Sequence, residues 1–127
     1  MEFKYKSQES KESRIKQSKE LLQKYPNKVP VILEKDPTSK ITELGKTRYL
    51  LEKKYTAKEI MDMVRSKTTI DEKDALFLQV RAKFSITGEK TIGDIYDTYK
   101  DSDGFLYIMY TTELIYKYKK DYFTPFL

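Results

Sequence analysis

The stretch Phe105-Leu106-Tyr107-Ile108-Met109-Tyr110 decides how the rest of the chain is read. Its six residues are all apolar or aromatic, without polar alternation, which is the pattern of a strand buried on both faces at the centre of a sheet. Directly before it, Asp101-Ser102-Asp103-Gly104 supplies the residue types that turn a chain. A strand covered on both sides needs a layer on each side, so the preceding segments must provide partner strands and helices.

Those segments are present. Thr91 opens a short helix that carries Ile92, Ile95, Tyr96 and Tyr99 on one stripe, and Ala75 to Val80 reads as a strand. Thr56-Ala57-Lys58-Glu59 is a capping box, after which Ile60, Met63, Val64 and Lys67 recur at helical spacing. Val29-Pro30-Val31-Ile32-Leu33 is a β-branched strand with Pro30 near its start, where a missing backbone donor does least harm. In Thr47-Arg48-Tyr49-Leu50-Leu51, Arg48 and Leu50 face opposite to Tyr49 and Leu51, and Asp36 to Lys40 reads as a loop. At the front, Ser10 to Tyr25 carries Ile15, Leu21, Leu22 and Tyr25 at helical spacing. That helix stops at Tyr25-Pro26-Asn27, because the residue before a proline is pushed out of the α region. The order helix, strand, strand, helix, strand, helix, strand predicts an α+β fold, the ubiquitin-like β-grasp with a helical segment in front. The expected division is a helical extension over 1–26, a β-grasp domain over 27–116 and a basic, aromatic tail over 117–127.

Composition bounds the chemistry. The chain has 127 residues, enough to hide roughly two-thirds of its unfolded surface in one core without a metal or disulfide. It contains no Cys and no His, which excludes thiol nucleophiles, Cys/His zinc sites and the imidazole general base. Gly88 and Gly93 have phosphate-loop spacing, but Asp94 stands where that loop needs a Lys. Asp101-x-Asp103-Gly104 hints at a calcium loop, yet Tyr99 and Tyr110 would fill its first and last ligand positions. Neither a cofactor, a metal nor an enzymatic activity is expected. The longest uncharged stretch, Gly104 to Thr112, is about half of what a membrane-spanning helix needs. Charged residues in Met1-Glu2-Phe3-Lys4-Tyr5-Lys6 replace the apolar run of a secretory signal, so a cytoplasmic protein is expected. The net charge is +5, and Met1 to Pro30 holds eight basic against four acidic residues. The acids mixed into that segment argue against nucleic acid as the partner.

Four blocks carry a resemblance: Tyr25-Pro26-Asn27-Lys28-Val29-Pro30-Val31-Ile32-Leu33-Glu34-Lys35, Lys46-Thr47-Arg48-Tyr49-Leu50, Asp74-Ala75-Leu76-Phe77 and Asp101 to Tyr110. With the opening Met-x-Phe-x-Tyr-Lys, the chain resembles the autophagy ubiquitin-like modifiers, nearest the GABA-receptor-associated-protein branch, as far as about Tyr116. The resemblance implies a β-grasp with two additional N-terminal helices and a protein that is not an enzyme. It implies binding of aromatic-x-x-aliphatic motifs in cargo receptors and autophagy proteins, by strand addition along Lys46 to Leu51. By that resemblance, the aromatic anchor enters a pocket of Leu21, Pro30, Ile32, Arg48, Leu50 and Phe105 with Gln17 at its rim. The aliphatic anchor meets Tyr49, Leu51, Tyr55, Ile60, Met63 and Val64. Lys28, Lys46, Arg48 and Lys67 pair with the motif's acids. Taken without the resemblance, Ile60, Met63 and Val64 read as core and the lysines as solvated surface.

The family joins a C-terminal glycine to phosphatidylethanolamine on autophagosomal membranes. Here Lys117 follows Tyr116 where that glycine stands, and no glycine occurs after Gly104. Activating and conjugating enzymes, a processing protease and an autophagosome or other vesicle membrane are therefore partners only if the terminus is processed and lipidated. Without lipid, the expectation is a soluble peptide-binding adaptor in trafficking or autophagy. The tail from Ile115 interleaves aromatics and lysines, a composition that suits a membrane interface.

Overall fold

The protein is described by a computed structural model covering residues 3–71, 73–81 and 84–112. The readings made on Tyr116, Lys117 and the tail lie outside the described residues.

The strand that anchors the reading is Leu106–Thr111 (β5), buried at every position. It pairs in parallel with Lys28–Lys35 (β1) and antiparallel with Phe77–Val80 (β3). Arg48–Glu52 (β2) closes one side and Phe84–Ile86 (β4) the other, so the described sheet runs β2-β1-β5-β3-β4. The last described strand is central, as its unbroken apolar run requires. Pro30 sits opposite Leu50 on β1, one residue before the pairing with β5 begins at Val31 and Leu106. Its missing donor therefore interrupts no described rung of that ladder.

Helices cover both faces. Ala57–Lys67 (α3) starts at the complete capping box of Thr56 and Glu59, and Ile92–Tyr99 (α4) starts where the Thr91 side chain accepts from Asp94 N. Both pack against β-strand residues that point one way: Val29, Val31 and Leu33 of β1, then Leu106, Ile108 and Tyr110 of β5. The alternate residues Ile32, Phe105, Tyr107 and Met109 point the other way and form a second, smaller cluster with Phe3, Tyr5 and Leu21. That cluster lies under Lys4–Gln8 (α1) and Lys11–Lys24 (α2), the latter capped by Ser10. The fold is thus the predicted α+β β-grasp with two N-terminal helices.

A polar net fastens the front helices to the turn before β5. The fully buried carboxylate of Asp103 accepts from Arg14 Nη1 at 2.5 Å, Tyr107 OH at 2.5 Å and Phe105 N at 2.8 Å. Ser18 Oγ donates to Asp103 O at 2.6 Å. Gly104 has φ +91, and a Cβ there would come within 2.3 Å of Ser18 Oγ, so only glycine allows this approach. On β1 the buried Glu34 carboxylate accepts from Lys4 N at 2.8 Å and Tyr5 N at 3.1 Å, capping the first turn of α1.

Two elements differ from the element order read from residue patterns. The five residues of α1 are too few for a periodic signal, and Glu34 and the aromatic cluster hold them. The three residues of β4 follow Arg81, a non-glycine residue at φ +51 that carries no turn signature of its own. The strand expected from Ala75 begins at Phe77, and the one expected from Thr47 runs from Arg48.

Candidate functional site

The described β2 has a partner on one side only. Leu33 N donates to Thr47 O at 2.8 Å and Lys53 N to Asn27 O at 3.0 Å, on either side of the register that pairs Val31 with Tyr49 and Val29 with Leu51. Antiparallel pairs alternate between bonded and non-bonded, so Tyr49 and Leu51 turn their backbone groups toward β1. Arg48 and Leu50 turn both N–H and C=O outward to the free edge. Glu52 adds its N–H, its carbonyl being taken by Tyr55 N at 3.0 Å. Among the described residues this edge is a row of donors and acceptors without backbone partners, at the spacing of a strand.

Concave surface flanks the edge. On the α2 side, Gln17, Leu21, Arg48, Tyr49, Leu50 and Phe105 line a recess of about 270 Å³. It continues along α2 into one of about 310 Å³ bounded by Glu20, Lys24 and Tyr25. Ile32 is fully buried in the same cluster as Leu21 and Phe105, and Pro30 is buried opposite Leu50. Neither Pro30 nor Ile32 lines the recess itself.

At the start of β2, Gly45, Lys46, Arg48, Tyr49, Leu50 and Lys67 surround a recess of about 470 Å³. The structure brings Tyr49, Lys46 and Lys67 together there. Leu51, Ile60 and Val64 are buried in the main core, with Tyr49 and Met63 packed partly exposed against it. Tyr55 is 39% exposed, and its carbonyl accepts from Ile92 N at 2.6 Å. On the α3 stripe Ile60 and Val64 are core, and Met63, like Tyr49, is partly exposed. Burial raises the phenol pKa of Tyr49, so the ring stays neutral at physiological pH.

Charge surrounds the edge. Lys46, Arg48 and Lys67 are exposed near its start. At the other end Lys28 shares a recess of about 440 Å³ with Asn27, Glu52, Lys53 and Lys54. Lys24 Nζ and Lys28 Nζ both stand over the Tyr25 ring, at 5.6 and 5.5 Å. Sequence reasoning did not single out Lys24, Lys53 and Lys54. The adjacent pair Lys53-Lys54 after a strand was the available signal, and in a chain this rich in lysine it carried little weight.

Comparison with known proteins agrees with this architecture. The sequence model described as "Autophagy protein Atg8 ubiquitin like" matches residues 13–117. Autophagy-related protein 8h of Arabidopsis thaliana is 33% identical over 109 residues, covering 86% of this chain and 91% of that relative. The crystal structure of Trypanosoma brucei ATG8 superposes with a TM-score of 0.79 at 30% identity, covering 87% of this chain and 95% of that one. Sequence match, relative and superposed fold agree on one conclusion: the chain belongs to the Atg8 family of autophagy ubiquitin-like proteins.

Proposed function

We propose that this protein recruits autophagy partners by adding their aromatic-x-x-aliphatic motif as a strand to the free edge of β2. The observation that carries the reading is an edge that no described strand pairs, with concave surface beside it. Two side chains three residues apart on a strand point to opposite faces. An aromatic anchor over Leu50 and Phe105 therefore sends the aliphatic anchor to the other face, where Tyr49 and Met63 are reachable. Backbone bonds to Arg48 and Leu50 supply sequence-independent affinity, and the two recesses supply selection. The acids that flank such a motif meet Lys46, Arg48 and Lys67 at the start of the edge and Lys28 near its end, which raises association rate and rejects basic peptides.

Leu50→Ala removes one wall of the aromatic recess from a half-buried position. It is expected to weaken a motif peptide by about tenfold in calorimetry while stability changes by less than about 1 kcal/mol. Equal affinity in wild type and variant would sink the reading.

Lys117 favours a second reading for the membrane step, an adaptor that keeps the edge and carries no lipid. The intact mass of the protein in membrane fractions from starved cells separates the two. A shortened species bearing a phospholipid's mass supports conjugation, and an unmodified mass in both soluble and membrane fractions supports the adaptor.

A further inference from the structure

Gln17 stands at the rim of the α2-side recess with every side-chain bonding position in use. Its Oε1 accepts from Tyr5 OH at 2.8 Å and Arg48 Nη1 at 3.3 Å. Its Nε2 donates to Glu9 Oε1 at 3.2 Å and Ser13 Oγ at 3.0 Å. This pattern forces the orientation of the amide. Turned over, it would set an N–H against the guanidinium and an oxygen against the Glu9 carboxylate. Gln17 therefore separates the Glu9 carboxylate from Arg48. Arg48 is aimed by a neutral oxygen, and among the described residues no carboxylate pairs with it.

We infer that Gln17 is a specificity-determining residue: it makes the edge select peptides with a carboxylate two residues from the aromatic anchor, on the same face of the added strand. This rests on the strand-addition reading of β2. Arg48 and Leu50 are themselves two residues apart and share a face, about 7 Å along the strand. A strand laid beside them repeats that spacing, so an aromatic over Leu50 puts the residue two away over Arg48. The residue next to the aromatic points to the other face and is out of reach. A carboxylate at position 17 would occupy Arg48 internally and cancel the preference, so the neutral amide is what leaves the charge to the ligand.

The experiment is calorimetry of the full chain with four peptides that share one aromatic-x-x-aliphatic core. They carry Glu two residues before the aromatic, Glu two residues after it, Glu directly before it, or Gln at all three positions. In wild type, one of the first two should bind about three- to tenfold tighter than the Gln peptide, and which one does so reports the direction of the added strand. In Gln17→Glu that gain should disappear, whereas any gain from the directly adjacent Glu should be unchanged. Gln17→Met, neutral and of similar length, should retain part of the gain, because the Arg48 charge remains while its aim is relaxed. Equal thermal unfolding midpoints of wild type and both variants show that the fold is intact, and the gain is read within each protein as the ratio of the Glu peptide's affinity to that of the Gln peptide. A gain that survives Gln17→Glu, or the absence of any gain in wild type, overturns the role of Gln17 and leaves the edge reading standing. Failure of all four peptides to bind wild type sinks the edge reading and this inference with it.

Discussion

The two faces of the sheet are covered in different ways. Under α3 and α4, β1 and β5 present Val29, Val31, Leu33, Leu106 and Ile108, each at most 1% exposed, against helix residues of the same kind. Under α1 and α2, the same strands present Ile32, Tyr107 and Met109, joined by Phe105 just before β5, and the cover is aromatic rings and ion pairs. The first face is closed by close packing, which is non-directional and extensive. The second is fastened at a few points by directional contacts. Such a cover leaves gaps, and the recess of Gln17, Leu21, Leu50 and Phe105 is one of them. Close packing and directional fastening are thus divided between the two sides of one sheet.

Neighbouring residues on β5 give the largest test of this division. Ile108 points into the aliphatic face and Met109 into the aromatic one, and both are buried. Ile108→Ala is expected to lower the unfolding free energy by about 4 kcal/mol in a denaturant titration. Met109→Ala should cost about 2 kcal/mol, since a smaller cluster around a flexible side chain can close part of the gap. Equal losses would show that the two covers do not differ as described.

The next test concerns the fastening itself. Arg14→Ala leaves the Asp103 carboxylate fully buried without its cation, and a loss of about 3 kcal/mol is expected. Hydrogen exchange should show the loss concentrated in α2 and β5, with α3 little affected. A uniform rise in exchange would mean that the two faces unfold as one. A smaller effect, about 1 kcal/mol, is expected for Glu34→Gln, which weakens the acceptor of Lys4 N and Tyr5 N. Faster exchange confined to those two amides is the checking observation.

The division also explains what the sequence disclosed. Close packing leaves a periodic trace, so β5, the α3 capping box and the stripe Ile60, Met63, Val64 were legible, and their structure follows the reading. The fastening of α1 leaves none, because Glu34 lies about 30 residues from the amides it caps and reads in sequence as one more surface acid. The same holds within the candidate site. Leu21, Arg48, Leu50 and Phe105 were named through resemblance, and the structure gathers them at one recess. The network through which Gln17 holds Arg48 joins side chains from α1, α2 and β2, which only the folded chain brings together.

The smallest expected effect is one of pH, and it belongs to one face only. Burial raises the Asp101 pKa, but the Lys6 ammonium at 2.6 Å and the N–H of Asp103 at 3.0 Å outweigh it and hold the carboxyl below its ordinary value. A depressed carboxyl contributes stability that is complete above its unfolded pKa of about 4 and is lost as pH falls through the folded value. Lys6 belongs to α1, and it also stands 4.6 Å from the centre of the Tyr107 ring, a contact that survives protonation of Asp101. Acid should therefore loosen α1 without releasing it. In an NMR titration below pH 4, the α1 amides should report a titration that Lys6→Ala moves to higher pH, because the ammonium that keeps Asp101 ionised is gone, while the α3 amides titrate alike in both proteins. An α1 titration left in place by Lys6→Ala would put the acid-sensitive group elsewhere and remove Asp101 from the contacts that distinguish the two faces.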